Sequence, residues 1–171
     1  GGQDMFSQFA NATREDGTLI PVDQVVDHMN FLMMAAHDTI TSSATALVWK
    51  LAQHPEWQEK LRQEIVAITG GTDAAGEARG VSYDDLGKLD LTDMAFKESL
   101  RMIPPVPSLP RRALRSFEFR GYRIPAGAEV GFNVHLTHHM DEYWDAPFTF
   151  DPMRFTPEQV TFREGSIRTM D

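Results

Sequence analysis

The sequence contains no cysteine, which removes disulfides, thiolate nucleophiles and cysteine metal sites together. It also lacks a long apolar run. The longest clean one is Phe31–Ala36, against the roughly 20 residues a membrane-spanning helix needs. No block of Lys or Arg is present, and 16 basic residues against 25 acidic ones leave a formal charge of −9. A phosphate-tracking surface, and with it nucleic-acid binding, is therefore not expected. The opening Gly1-Gly2-Gln3-Asp4 is polar and lacks the basic start of a secretory signal. There is no internal repeat and no low-complexity tract. What remains is a globular balance, 42% hydrophobic and 24% charged over 171 residues, enough for one domain.

Periodicity places helices first and strands later. Met5, Phe6 and Phe9 suit a helix tail, followed by a polar turn at Arg14–Thr18 containing Gly17. From Val22 to His54 neither proline nor glycine occurs, which predicts one helix of about eight or nine turns. Its centre, Phe31–Ala36, is apolar all round and is expected to be buried on every side. Hydroxyl and small residues follow at Thr39, Thr41, Ser42, Ser43, Ala44 and Thr45; buried hydroxyls there need carbonyl, ligand or water partners. Pro55 suits the first position of a second helix, with Trp57, Leu61, Ile65 and Ile68 as its apolar stripe. Gly70 to Gly80 reads as a Gly/Ala-rich loop, the segment expected to be most mobile. Ser82 with Asp85 resembles a capping box opening a short helix that ends by Gly87. Thr92–Met102 is a fourth helix, stopped by Pro104-Pro105. Phe117–Phe119 and Tyr122–Ile124 flank an Arg120-Gly121 turn, a small hairpin, and Val130–Val134 suggests a further strand. The fold class is mainly α with a small β-sheet.

Glu98 and Arg101, at i and i+3, share a helix face. That spacing alone carries little meaning, since Glu59 and Arg62 repeat it on an expected solvated face, where such a pair is worth less than about 1 kcal/mol. Context separates them. Glu98-Ser99-Leu100-Arg101 runs directly into Met102-Ile103-Pro104-Pro105-Val106-Pro107, and Phe150-Asp151-Pro152-Met153-Arg154-Phe155 comes later. Upstream, Ala35-Ala36-His37-Asp38-Thr39 occupies the middle of the long helix. His135, His138, His139 and Asp141 could ligate a metal by residue type, yet their spacing fits no helical H-E-x-x-H site. His28 and His37 lie two and a half turns apart and face opposite sides.

In this order the motifs resemble the cytochrome P450 family. Its K helix carries E-x-x-R, its meander carries P-x-R-F, and its long I helix carries [A/G]-G-x-[D/E]-T. The resemblance implies a partial P450 fold: long I helix (21–54), J and K helices (55–103), small sheet (104–134), and meander with tail (135–171). It implies a structural ion cluster of Glu98, Arg101 and Arg154. It implies oxygen activation by Thr39 and proton relay by Asp38, with Ala35 and Ala36 against the cofactor; Ala36 departs from the commoner Gly. Arg111, or failing it Arg112, would pair with a haem propionate. Met34, Ala35, Val106, Ser108 and Leu109 align with substrate-facing positions. His138–Trp144 resembles the family's H-R-D-P-x-x-W stretch and departs at His139, Met140 and Asp141.

The family's haem loop, F-x-x-G-x-x-x-C-x-G, is expected shortly after P-x-R-F, but only 17 residues follow Arg154 and none is Cys. Family likeness fades after Glu158. The expectation is part of a haem-thiolate monooxygenase that inserts one oxygen atom from dioxygen into a lipophilic substrate. Electrons would come from a ferredoxin or reductase, in a cytoplasmic setting. The chain alone is expected to be inactive, not to hold haem stably, and to self-associate through its Met, Leu and Phe stripe. The alternative is a non-catalytic scaffold or binding module derived from that family.

Overall fold

The structure, a computed structural model, describes residues 2–71 and 79–160. The segment 72–78, most of the expected mobile loop, and the tail beyond Val160 lie outside the described residues. The chain packs as two compact units, residues 1–42 and 43–171.

In the first unit, Asp4 caps helix α1 (Met5–Ala10) by accepting a hydrogen bond from the Ser7 amide at 2.9 Å. A turn follows in which Gly17 takes a φ of 81°, and the Arg14 amide closes it onto the Thr18 carbonyl at 2.8 Å. Helix α2 (Val22–Gln53) then begins directly after Pro21. Phe9 stacks on His28 at 5.6 Å and Arg14 donates to Gln24 Oε1 at 3.0 Å. These contacts hold one end of a 32-residue helix. Beyond them, Phe31, Met33 and Met34 are 62%, 70% and 64% exposed. The expected all-round burial of Phe31–Ala36 is therefore not found in this chain, because α1 and the turn meet α2 only near its start.

The second unit contains the end of α2, then α3 (Pro55–Thr69), a 3-10 turn (Tyr83–Lys88) and α4 (Asp90–Met102). Pro55 opens α3, and Gly70 closes it in the left-handed conformation, its amide bonding the Val66 carbonyl. Ser82 and Asp85 form a reciprocal capping box, and Lys88 pairs with Asp85 at 2.8 Å. Helix α4 starts two residues before Thr92, because Glu64 of α3 reaches its first turn. The Glu64 carboxylate accepts from the Leu91 amide at 2.6 Å, the Thr92 amide at 2.9 Å and the Thr92 hydroxyl at 2.7 Å. The core is Trp57, Leu61, Ala95, Met102 and Phe150, with Leu47, Leu51, Leu91 and Ile103 packed against it. Each large side chain so buried contributes about 1.5–3 kcal/mol.

The small β component expected is found as two antiparallel pairs among the described residues. Strand β1 (Ser108–Arg112) pairs with β4 (Glu129–Asn133), in register from Ser108↔Asn133 to Arg112↔Glu129. Strands β2 (Phe117–Phe119) and β3 (Tyr122–Ile124) form the hairpin. Arg120 and Gly121 both have positive φ, as a tight two-residue hairpin turn requires. Backbone bonds between Ala113 and Ala128, and between Gly127 and Ala113, close the β1–β4 pair before the hairpin begins. Asn133 ends β4 by accepting the Leu136 amide at 2.9 Å, which turns Val134 into helix α5 (Val134–Thr137) instead of strand. A last 3-10 turn spans Pro152–Phe155. Among the described residues no helix is long and apolar enough to cross a membrane.

Candidate functional site

The site is a knot of charge on α4. Glu98 is fully buried, and Arg101 is 2% exposed. Arg101 grips the carboxylate side-on: Nε donates to Oε2 at 2.6 Å and Nη2 to Oε1 at 2.7 Å. The Asp151 amide adds a third bond to Oε1 at 3.0 Å. Arg154, from the last 3-10 turn, brings its Nε to 3.5 Å from that same oxygen. With two donors already on Oε1, the third approach is long, and Arg154 Nε has no hydrogen-bond partner. Its Nη2 instead donates to the Ala146 carbonyl at 2.9 Å, holding a residue whose φ of 44° is unusual for a side chain with a Cβ. Glu98, Arg101 and Arg154 thus come together in one buried cluster. Glu59 and Arg62, identical in spacing, meet at 3.4 Å with both side chains more than half exposed.

The cluster also fastens the segment after β4, through residues whose part in it their spacing does not reveal. Arg101 Nη1 donates to the His138 carbonyl at 2.7 Å, while His138 Nδ1 donates to the Arg101 carbonyl at 3.0 Å. Since a carbonyl only accepts, the proton of neutral His138 resides on Nδ1. Trp144 lies under the Arg101 guanidinium at 5.0 Å and edge-on to His138 at 6.0 Å. Burial, foremost, together with the Arg101 charge, keeps the His138 pKa below the ordinary imidazole value, against the opposing pull of the Arg101 carbonyl. Lys50, half-buried near the end of α2, has its pKa lowered first by burial and then by Arg101, with Glu98 opposing. The H-x-x-x-x-x-W spacing was visible in the sequence; that both rings turn onto Arg101 was not.

The remaining candidates are more open. Thr39 donates its hydroxyl to the Ala35 carbonyl at 2.6 Å, one turn back. Asp38 accepts from His37 Nδ1 at 3.0 Å, with both side chains well exposed, and α2 runs unbroken through Ala35 and Ala36. Arg111 and Arg112 lie on β1 with exposed side chains. Arg111 donates to the Pro110 carbonyl at 2.9 Å, and Arg112 lies 4.0 Å from Glu129. Val106, Ser108 and Leu109 are exposed at the entry to β1 and within it, and Met34 is exposed on α2. His135 and His139 have ring centroids 4.4 Å apart, but His138 turns away to Arg101. No group of three metal-ligating side chains occurs among the described residues.

Residues 3–168 match the family model described as Cytochrome P450. A Mycobacterium tuberculosis protein assigned to cytochrome P450 136 is 37% identical over 155 residues, 91% of this chain and 30% of that protein. Rat cytochrome P450 4A14 is 34% identical over 148 residues, 86% of this chain and 28% of that protein. Among solved structures, a retinoic acid-bound cyanobacterial CYP120A1 superimposes with a TM-score of 0.80 at 27% identity, covering 91% of this chain and 34% of that one. The chain thus spans about a third of the length of the relatives it matches.

Proposed function

The chain belongs to the cytochrome P450 family, and from that premise we propose that it forms part of a haem-thiolate monooxygenase acting on a lipophilic substrate. The family's haem, when bound through a cysteine thiolate, supplies the oxygen-activating chemistry. The residues present fit that group only in part. The exposed guanidiniums of Arg111 and Arg112 suit a propionate, whereas the sequence contains no cysteine to ligate the iron. The chemistry open to this chain's own residues is binding and proton handling.

Thr39 and Asp38 are the catalytic candidates. The Thr39 hydroxyl hydrogen can leave the Ala35 carbonyl for a ligand in front of the helix, and the solvated Asp38 carboxylate can exchange a proton with water. Ala35 and Ala36 leave room for close approach of a flat cofactor. Met34, Ala35, Val106, Ser108 and Leu109 are assigned to the substrate side, and the exposed apolar character of Met34, Val106 and Leu109 suits a lipophilic molecule. The similar cyanobacterial structure carries retinoic acid, a ligand of that chemistry. Electrons would come from a ferredoxin or reductase.

The observation that carries the reading is the buried Glu98–Arg101–Arg154 cluster, the ion cluster that the resemblance to the family implies. The test is the reduced carbon-monoxide spectrum of the intact protein with all adjoining sequence it possesses. The expected result is the red-shifted Soret band of thiolate-ligated haem, with Thr39→Ala retaining the band while losing product per electron consumed. Absence of the band in a well-folded intact protein overturns the monooxygenase reading in favour of a non-catalytic scaffold.

A further inference from the structure

We propose that His135 and His139 form a two-imidazole chelate for a divalent transition metal of the Cu2+ or Ni2+ class. The inference goes beyond the reaction proposed above and does not rest on it. The chain builds the pair locally. Asn133 starts α5 by accepting the Leu136 amide at 2.9 Å. The coil runs on past Thr137, because the His138 amide bonds the Val134 carbonyl and the His139 amide bonds the Leu136 carbonyl, each at 2.9 Å. His135 and His139 therefore stand four positions, or one helical turn, apart on the same face. Their ring centroids lie 4.4 Å apart, with the planes tilted by 41°. With metal–nitrogen bonds of about 2 Å, two imidazoles at cis positions about 90° apart have centroids about 4.5 Å apart, against about 5 Å at a tetrahedral angle. The spacing thus suits tetragonal Cu2+ or Ni2+ better than tetrahedral Zn2+.

One of the two ligands is already set. His139 Nδ1 donates to the His135 carbonyl at 2.8 Å. Since a carbonyl only accepts, the neutral ring carries its proton on Nδ1 and keeps the Nε2 lone pair for a metal. A backbone carbonyl on the far nitrogen is the arrangement that orients metal-bound histidines and raises their basicity. Phe148 packs on the same imidazole at 5.1 Å, with planes 33° apart, and restricts its rotation. His139 is half-buried and His135 exposed, so the second ring can turn to close the chelate from solvent. His138, next to His139 in sequence, is turned to the Arg101 carbonyl. No group of three ligating side chains occurs among the described residues, so the remaining coordination positions fall to water or a small ligand. The formal charge of −9 raises the local concentration of cations, but the imidazole donors select a borderline transition metal over a hard cation such as Mg2+.

The experiment is titration of the intact protein with Ni2+ in a buffer that does not bind it, read by calorimetry and by the histidine ring signals in NMR. The expected result is Ni2+ binding that an excess of Mg2+ does not displace. His135→Asn and His139→Asn are each expected to weaken that binding by about tenfold or more, because either leaves one imidazole where two act together. His37→Asn, which removes an exposed histidine elsewhere on the chain, should leave it unchanged. In the wild-type protein, less than one equivalent of Ni2+ should broaden the ring signals of His135 and His139 ahead of that of His37; this reading stands even where a variant fails to fold. Displacement by Mg2+ would assign the binding to carboxylates and overturn the proposal. So would undetectable binding, unchanged affinity in both variants, or a His37 signal that broadens first.

Discussion

Why one Glu–Arg pair differs from another is a matter of what surrounds each charge. Glu98 and Arg101 are desolvated and joined side-on, so removing either partner leaves the other charge buried without its main counter-charge. Glu98→Ala is expected to destabilise by about 3–5 kcal/mol, because it strands Arg101 and the Asp151 amide together. Arg154→Ala is expected to cost less, about 1–2 kcal/mol, since its Nε makes no hydrogen bond and its main bond is one carbonyl. Urea unfolding followed by tryptophan fluorescence reads both values; equal losses would show that the long Arg154–Glu98 approach matters as much as the side-on pair. Spacing revealed the pairing of 98 with 101 and equally suggested 59 with 62. Burial, which decides between them, depends on packing from α3 and from the segment around Phe150, tens of residues away, and is not written in the local pattern. The engagement of His138 escaped for the same reason: its partner is a carbonyl, a group every residue carries.

Legibility at the level of elements followed the range of the signal. Pro55, the Ser82–Asp85 box and the Arg120-Gly121 turn act on their own few residues, and each could be read where it stands. The start of α4 could not be, because its cap comes from Glu64, 27 residues upstream of Leu91. Strand β1 carries Pro110 and two arginines and has no apolar alternation; it is a strand because β4 pairs with it, with proline tolerated at a position open to solvent. The Glu64 bridge supports a specific expectation. Glu64→Ala releases three donors in the first turn of α4, and stability should fall by about 1–2 kcal/mol, in the range of a lost helix cap. Amide exchange at Leu91 and Thr92 should accelerate ahead of the rest of α4. Acceleration spread evenly along the helix would show that the carboxylate is not a local cap.

On the scale of the whole molecule, two tendencies oppose each other. Large apolar side chains lie exposed along α2: Phe31, Met33, Met34 and Ile40 in its first part, Val48 and Trp49 in its last. Val48 and Trp49, with Ala44, Thr45 and Ala52, line a shallow, almost wholly apolar groove. Surface of this kind favours association, while the formal charge of −9 resists it by repulsion between copies. The 171-residue chain in isolation is therefore expected to self-associate more strongly as salt is raised, because about 0.15 M salt screens charge beyond about 8 Å and leaves apolar contact intact. Sedimentation velocity at two protein concentrations and two ionic strengths measures this directly. The double substitution Met33→Glu and Val48→Glu should shift the distribution toward monomer and reduce binding of an apolar dye. An association that salt weakens would instead assign the contact to charged groups, and a monomer in every condition would mean that this apolar surface does not join copies of the chain.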